Sequence, residues 1–218
     1  MTMPRGTWPP LPPEPPEPPR PRRSPWLPET RPPSAVPTST SLVVNGPDWL
    51  GQRLFDQRVV ALAGELDAET ANRVVAELGL LDASGDEPVQ LRLSGVGADL
   101  DTALTLVDAL DLMGAPVHAT CVGTLTGPAV ALLAVADRRT AGRHATLHLG
   151  EPRVPQFFGG REVESLAAEH ARQLRRLQER LAGACGRPVD EIAADMRAGK
   201  RLTAAEALDY GLIDHLPG

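Results

Sequence analysis

Hydrophobic and polar positions change period several times along this chain. Residues 59–63 (VVALA) form a short apolar run bounded by Gly64, which predicts a strand. Ala71, Val74, Val75, Leu78 and Leu81 then recur at helical spacing, with Asp67 placed to cap the start and Ser84-Gly85-Asp86 placed to end it. Val89, Leu91 and Leu93 alternate with polar neighbours and predict a second strand. A glycine-containing loop, SGVGAD (94–99), leads into a helix carrying Leu100, Ala103, Leu104, Val107 and Leu110. A third strand is expected over 116–122, and Gly127-Pro128 opens a very apolar helix, PAVALLAVA. Alternation returns at Thr146-Leu147-His148-Leu149. Strand–helix repetition of this kind indicates an α/β domain with parallel strands and buried helices.

The last third reads differently. After EPRVPQFFGG a long helix is expected from Arg161 to Ala182, with Val163, Leu166, Leu174, Leu177 and Leu181 as its apolar positions and His170 in the one gap of that stripe. So narrow a stripe on so long a helix predicts packing against something outside its own domain, a partner subunit being the simplest candidate. If such helices interleave, protonation of His170 near pH 6 is expected to loosen the pairing. A shorter helix follows over Val189–Met196, and then TAAEALDYGLIDHL closes the chain.

Composition separates the beginning from the rest. Of 23 prolines, 15 precede Ser39, so residues 1–41 are expected to form a disordered, polyproline-II-like tail ahead of a folded domain over 42–218, whose first short strand is expected at SLVVN. The tail reads as a spacer or leader, or as a ligand for a proline-binding groove helped by Trp8 and Trp26. Residues 1–40 carry five Arg and three Glu, which leaves about −8 of the net −6 on the remainder. Free nucleic acid, which needs a basic face, is therefore not an expected partner. No run of 18 apolar residues exists to span a membrane. No signal-peptide core begins the chain, and Cys121 and Cys185 stand 64 positions apart, so a reduced, cytoplasmic protein is expected. Cys121 reads as a buried apolar residue. A single lysine, Lys200, against 21 arginines reads as codon bias.

Several segments, in order, resemble the Clp protease proteolytic subunit (ClpP) family, peptidases of the crotonase-like superfold. RVVALAGELDAETANRVVAEL is similar to the family's first strand and helix. LRLSGVGADLDTALTLVDAL is similar to the strand–loop–helix that reads S-P-G-G in the family and supplies an oxyanion-hole amide. LTAAEALDYGLID resembles the C-terminal signature. The resemblance runs from Leu54 to His215. It implies repeated β-β-α and β-α units with a long "handle" helix, the handle region covering about 151–185, and rings of seven or fourteen subunits.

The family cleaves peptides with a Ser-His-Asp triad found in A-A-S-M-G, M-H-Q-P and D-R-F/Y. Against those motifs the serine position falls on Pro128, the histidine on Gly150 and the aspartate on Gly199. No serine occurs between Ser94 and Ser165, so no small shift of register recovers the nucleophile. Proline at a first helical position is favourable for stability, because its missing N–H costs nothing there. The oxyanion amides fall on Gly97 and Ala129, with Ala98 where the second glycine of the pair stands. Donors without a nucleophile leave only about 10³–10⁴ of rate enhancement in serine proteases.

The resemblance therefore implies a ClpR-like subunit, catalytically inactive, that completes a homo- or hetero-oligomeric ring with other ClpP-type subunits and meets a Clp AAA+ unfoldase, with no cofactor and no metal. Two alternatives keep an activity. One is a relocated centre of Thr124 or Thr126 with His148, although His148 lies two residues, about 6–7 Å, from the expected place. Asp195, four residues early, matches a different acidic position. The other is crotonase-like acyl-CoA chemistry, for which Asp99 and Asp101 are the available carboxylates; both read more simply as helix N-terminal residues.

Overall fold

The computed structural model describes residues 49–152 and 162–216. The proline-rich segment 1–41, the strand expected at 42–45, most of EPRVPQFFGG and the helix start at Arg161 lie outside the described residues.

A short helix that the periodicity did not announce, α1 (Trp49–Asp56), buries none of its residues and leaves Trp49 74% exposed. It turns into β1 (Val59–Leu66) through Arg58, whose φ is 56°. That left-handed residue is not a glycine, and its guanidinium holds it by donating to Ser84 Oγ and to the carbonyls of Gly85 and Glu87. Helix α2 (Ala68–Ala83) starts where expected, Asp67 accepting from Thr70 N at 2.8 Å, and buries Ala71, Val74, Leu78 and Leu81. Helix α3 (Leu100–Asp111) repeats the device with Asp99 and Thr102 N at 2.7 Å. The strand between them, β2 (Val89–Ala98), continues through SGVGAD as far as Ala98, which corrects the expected loop at 94–99.

Strand β3 (Val117–Thr126) outruns its expected end at Val122. The apolar helix after it begins as a 3-10 turn (Gly127–Ala129), continues as α4 (Val130–Ala134) and is wholly buried. Two short strands, β4 (Arg138–Ala141) and β5 (Thr146–Leu149), precede helix α5 (Glu162–Cys185). Helix α6 (Val189–Ala198), strand β6 (Lys200–Thr203) and helix α7 (Ala204–Tyr210) complete the described chain. One sheet runs β1-β2-β3-β5-β6, with β4 also on β3. Every pairing is parallel except β5 with β6. The expected α/β class is what forms.

The sheet bends along a line of three glycines in adjacent strands. Gly64, Gly95 and Gly123 have φ of 77°, 62° and 76°, and the strand registers shift between Ala63 and Gly64 and between Ser94 and Val96. Below the line β3 pairs with β4 through His118–Cys121; above it, Thr124–Thr126 pairs with β5. Aligned bulges of this kind re-aim strands, and φ near +70° is accessible to glycine at little cost.

Helix α5 divides its loyalties. Leu177, Leu181 and Ala182 are buried against the protein's own core, beside α3 and α4, whereas Leu166 near its start is 45% exposed. The expectation that the whole stripe faces outward is thus corrected for its C-terminal half. At the base, the Arg139 guanidinium binds the Asp214 carboxylate and donates to the carbonyls of Ala184 and Gly211, joining β4, the end of α5 and the closing segment. Asp214 is held below the usual carboxylate range, chiefly by that guanidinium.

A Cβ on Gly123 has space, its nearest neighbour being Gly95 N at 3.8 Å, so G123A isolates the backbone requirement. The substitution is expected to cost about 1–2 kcal/mol, read as a lower urea midpoint with an unchanged slope. An unchanged midpoint would show that the bend does not need a left-handed residue there.

Candidate active site

Above the bend, one row of register partners crosses the sheet: Glu65 on β1, Gly97 on β2, Thr126 on β3, His148 on β5 and Arg201 on β6. Laterally paired residues share a face, and the strands stand about 4.8 Å apart. The neighbours Leu66, Leu125, Leu147, Leu149 and Leu202 are buried while Glu65, Thr126 and Arg201 are exposed, so the row faces away from the core. Thr124, Thr146 and Thr203 form the next row on that face.

Of the positions matched to the triad, Gly150 and Gly199 both border His148, and the turn that holds Pro128 lies against Gly150. Gly127, with φ 60°, turns the chain out of β3, and Pro128 sits buried as the second residue of the turn. A Cβ on Gly127 would stand 3.8 Å from Gly150 O, so the turn abuts the end of β5. Gly199 is the left-handed C-cap of α6, φ 64°. Its own Cβ would lie 3.4 Å from His148 Nε2, and one on Gly150 would lie 3.3 Å from His148 Cε1. One imidazole therefore stands among segments that carry no hydroxyl, imidazole or carboxylate of their own at 128, 150 and 199.

The candidate relocated groups are neighbours on one face of the sheet. Thr126 is the lateral partner of His148 and Thr124 that of Thr146, yet no hydrogen bond joins His148 to Thr124, Thr126 or any carboxylate among the described residues. A general base works within about 3 Å of the proton that it takes. Asp195 is engaged elsewhere: it accepts from Tyr210 Oη at 2.6 Å and from Lys200 Nζ at 2.9 Å. Burial alone would raise its carboxyl, but those two hydrogen bonds and the charges of Lys200 and Arg187 bring it below the ordinary aspartate value. The Arg187 guanidinium and the Lys200 ammonium stand 4.0 and 4.9 Å from the Tyr210 ring centroid. The chain's only lysine thus has a definite post beside Gly199, which composition could not reveal.

Of the oxyanion-matched positions, Ala129 lies buried in the 3-10 turn, and Gly97 lies within the sheet between β1 and β3. Sequence reasoning missed what covers Gly97. The Glu65 carboxylate rests there, in the space that a Cβ would fill. The pairing of Glu65 with Gly97 is the signal, and it exists only once the strand register is known. Asp99 serves as a cap and Asp101 sits exposed in the first turn of α3, so the carboxylate of Asp99 weighed for acyl-CoA chemistry is occupied. Cys121 is buried as expected, and burial pushes its thiol up to about 11, far from nucleophilic. His170 is half-buried on α5. Among the described residues no helix is long and apolar enough to cross a membrane.

Comparison with known proteins adds two findings. The model of the family described as Clp protease matches residues 48–217. The chain is 30% identical over 168 residues to the ATP-dependent Clp protease proteolytic subunit of Ligilactobacillus salivarius (strain UCC118), covering 74% of this chain and 84% of that protein. It is 28% identical over 166 residues to ATP-dependent Clp protease proteolytic subunit 1 of Thermobifida fusca (strain YX), covering 74% and 75%.

The lowered Asp195 carboxyl has a pH consequence. A group whose folded pKa is depressed contributes stability that is present above its unfolded value and lost as pH falls through the folded one. Melting temperature is therefore expected to fall below about pH 4, and D195N is expected to flatten part of that fall. Parallel acid profiles for D195N and wild type would show that the Tyr210–Asp195–Lys200 clasp contributes nothing.

Proposed function

The chain belongs to the Clp protease family, and we propose that within it this protein is a subunit without peptidase chemistry of its own, working as a structural or regulatory member of a Clp peptidase ring. The observation that carries the reading is that Gly150 and Gly199 border His148 and that the turn holding Pro128 abuts Gly150, at positions the family motifs match to a base, an acid and a nucleophile. Proline has no hydroxyl, and glycine has no group that can move a proton. Backbone donors alone supply a small part of the rate of an intact triad.

The ring role draws on the exposed beginning of α5. Leu166, exposed on a helix whose later half is anchored by Leu177 and Leu181, supports contact with another subunit. Such a subunit completes rings of seven or fourteen in the cytoplasm, with copies of itself or with an active relative, and offers a surface to a Clp AAA+ unfoldase. The tail over residues 1–41 precedes this domain as a spacer. A second reading keeps Thr126 as nucleophile and His148 as base; lateral pairing on one sheet face is what favours it.

Native mass spectrometry of the protein, alone and co-expressed with an active ClpP-type subunit of the same genome, tests the proposal alongside fluorogenic-peptide cleavage. Ring-sized assemblies are expected, with the lone protein at least ~10⁴-fold slower than the active subunit. Cleavage by the lone protein within about 100-fold of that subunit would overturn the inactive reading.

A further inference from the structure

We infer that His148 has taken over the space of the two vacated triad positions and now serves as packing, so that the site is refilled and not merely stripped. The inference rests on the reading of Gly150 and Gly199 as triad-matched positions.

Two independent separations carry it. The imidazole is bracketed by the end of β5 and the C-cap of α6, 3.3 Å from a Cβ on Gly150 and 3.4 Å from one on Gly199. The approach at Gly150 is tighter than ordinary van der Waals contact and that at Gly199 is at its near edge, so a side chain at 150, and a larger one at 199, competes with the present His148 ring for one volume. Gly199 has a second reason to be glycine, its φ of 64°. Gly150 has no such reason, because its φ is outside the left-handed range, so the missing side chain is itself the requirement. Thr126 on the other lateral side forms no bond that would draw the ring away. The chain thus keeps an imidazole near the old site while using it as a wall.

A chemical consequence follows. Introducing Ser, His and Asp at 128, 150 and 199 puts a second imidazole against the first; a triad can be assembled only when residue 148 changes as well.

Thermal unfolding of the full chain tests the shared volume through wild type, G150A, H148A and G150A/H148A. G150A is expected to lower Tm by roughly 2–6 °C, the effect of overpacking by one methyl group, and by less than half as much when residue 148 is already alanine. Equal effects of G150A in the two backgrounds, including none in either, overturn the inference. If H148A does not fold, carbethoxylation of wild-type protein by diethyl pyrocarbonate, followed by peptide mapping, decides. His148 is expected to react several-fold more slowly than the exposed His144, and equal rates overturn the inference. Peptide hydrolysis by the wild type would remove the functional reading while leaving the unfolding cycle unaffected, so the two failures are distinguishable.

Discussion

Three left-handed glycines side by side in β1, β2 and β3 set the geometry on which the rest relies. Gly64, Gly95 and Gly123 let three neighbouring strands bulge together, so the sheet changes direction as a unit. Strand β3 leaves β4 and takes β5 as its partner at that line. Only because of that exchange does the turn at Gly127–Ala129 abut the end of β5, and only because β5 pairs with β6 does Gly199 arrive at the same place. A continuous, unbent β3 would keep β4 beside it and leave His148 without Thr126 as its lateral partner.

Around that junction, local choices suit a stable backbone. Pro128 lies in the first turn of its helical segment, where its fixed φ and absent donor cost little. Gly199 closes α6 in the left-handed conformation that a C-cap prefers, where an aspartate would be strained. Asp195 is committed to Tyr210 and Lys200, tying α6 to β6 and α7. On the proposed reading each residue removes a constraint that catalysis imposes on a fold, in keeping with the general opposition between stability and function at active sites. The core does not depend on those side chains: Val130 to Leu133, Leu147 and Leu149 are buried.

Much of this was readable from the residues, and the failures have physical causes. Helices α2 and α3 were legible because capping aspartates stand before strongly periodic runs, and both caps form. Strand β4, reading RRTA, lacks alternation and is held by the Arg139–Asp214 contact across 75 residues, which no local window sees. Helix α1 is two turns long and buries nothing, so it leaves no core-facing stripe to detect. Gly95 and Gly97 looked like turn residues; one serves a bulge and the other makes room for Glu65, and both uses lie inside a strand. For the site, the absence of Ser, His and Asp at 128, 150 and 199 was legible in the residues themselves. The approach of the His148 ring to Gly150 and Gly199 was not, because spacing puts it on the right face without saying how far its ring reaches.

The most direct measurement of whether the cleft has lost its nucleophile is the intact mass of the purified chain after exposure to a hydroxyl-reactive β-lactone. The expected result is an unshifted mass under conditions that fully label an active Clp protease proteolytic subunit. A stoichiometric adduct mapping to Thr124 or Thr126 would contradict it.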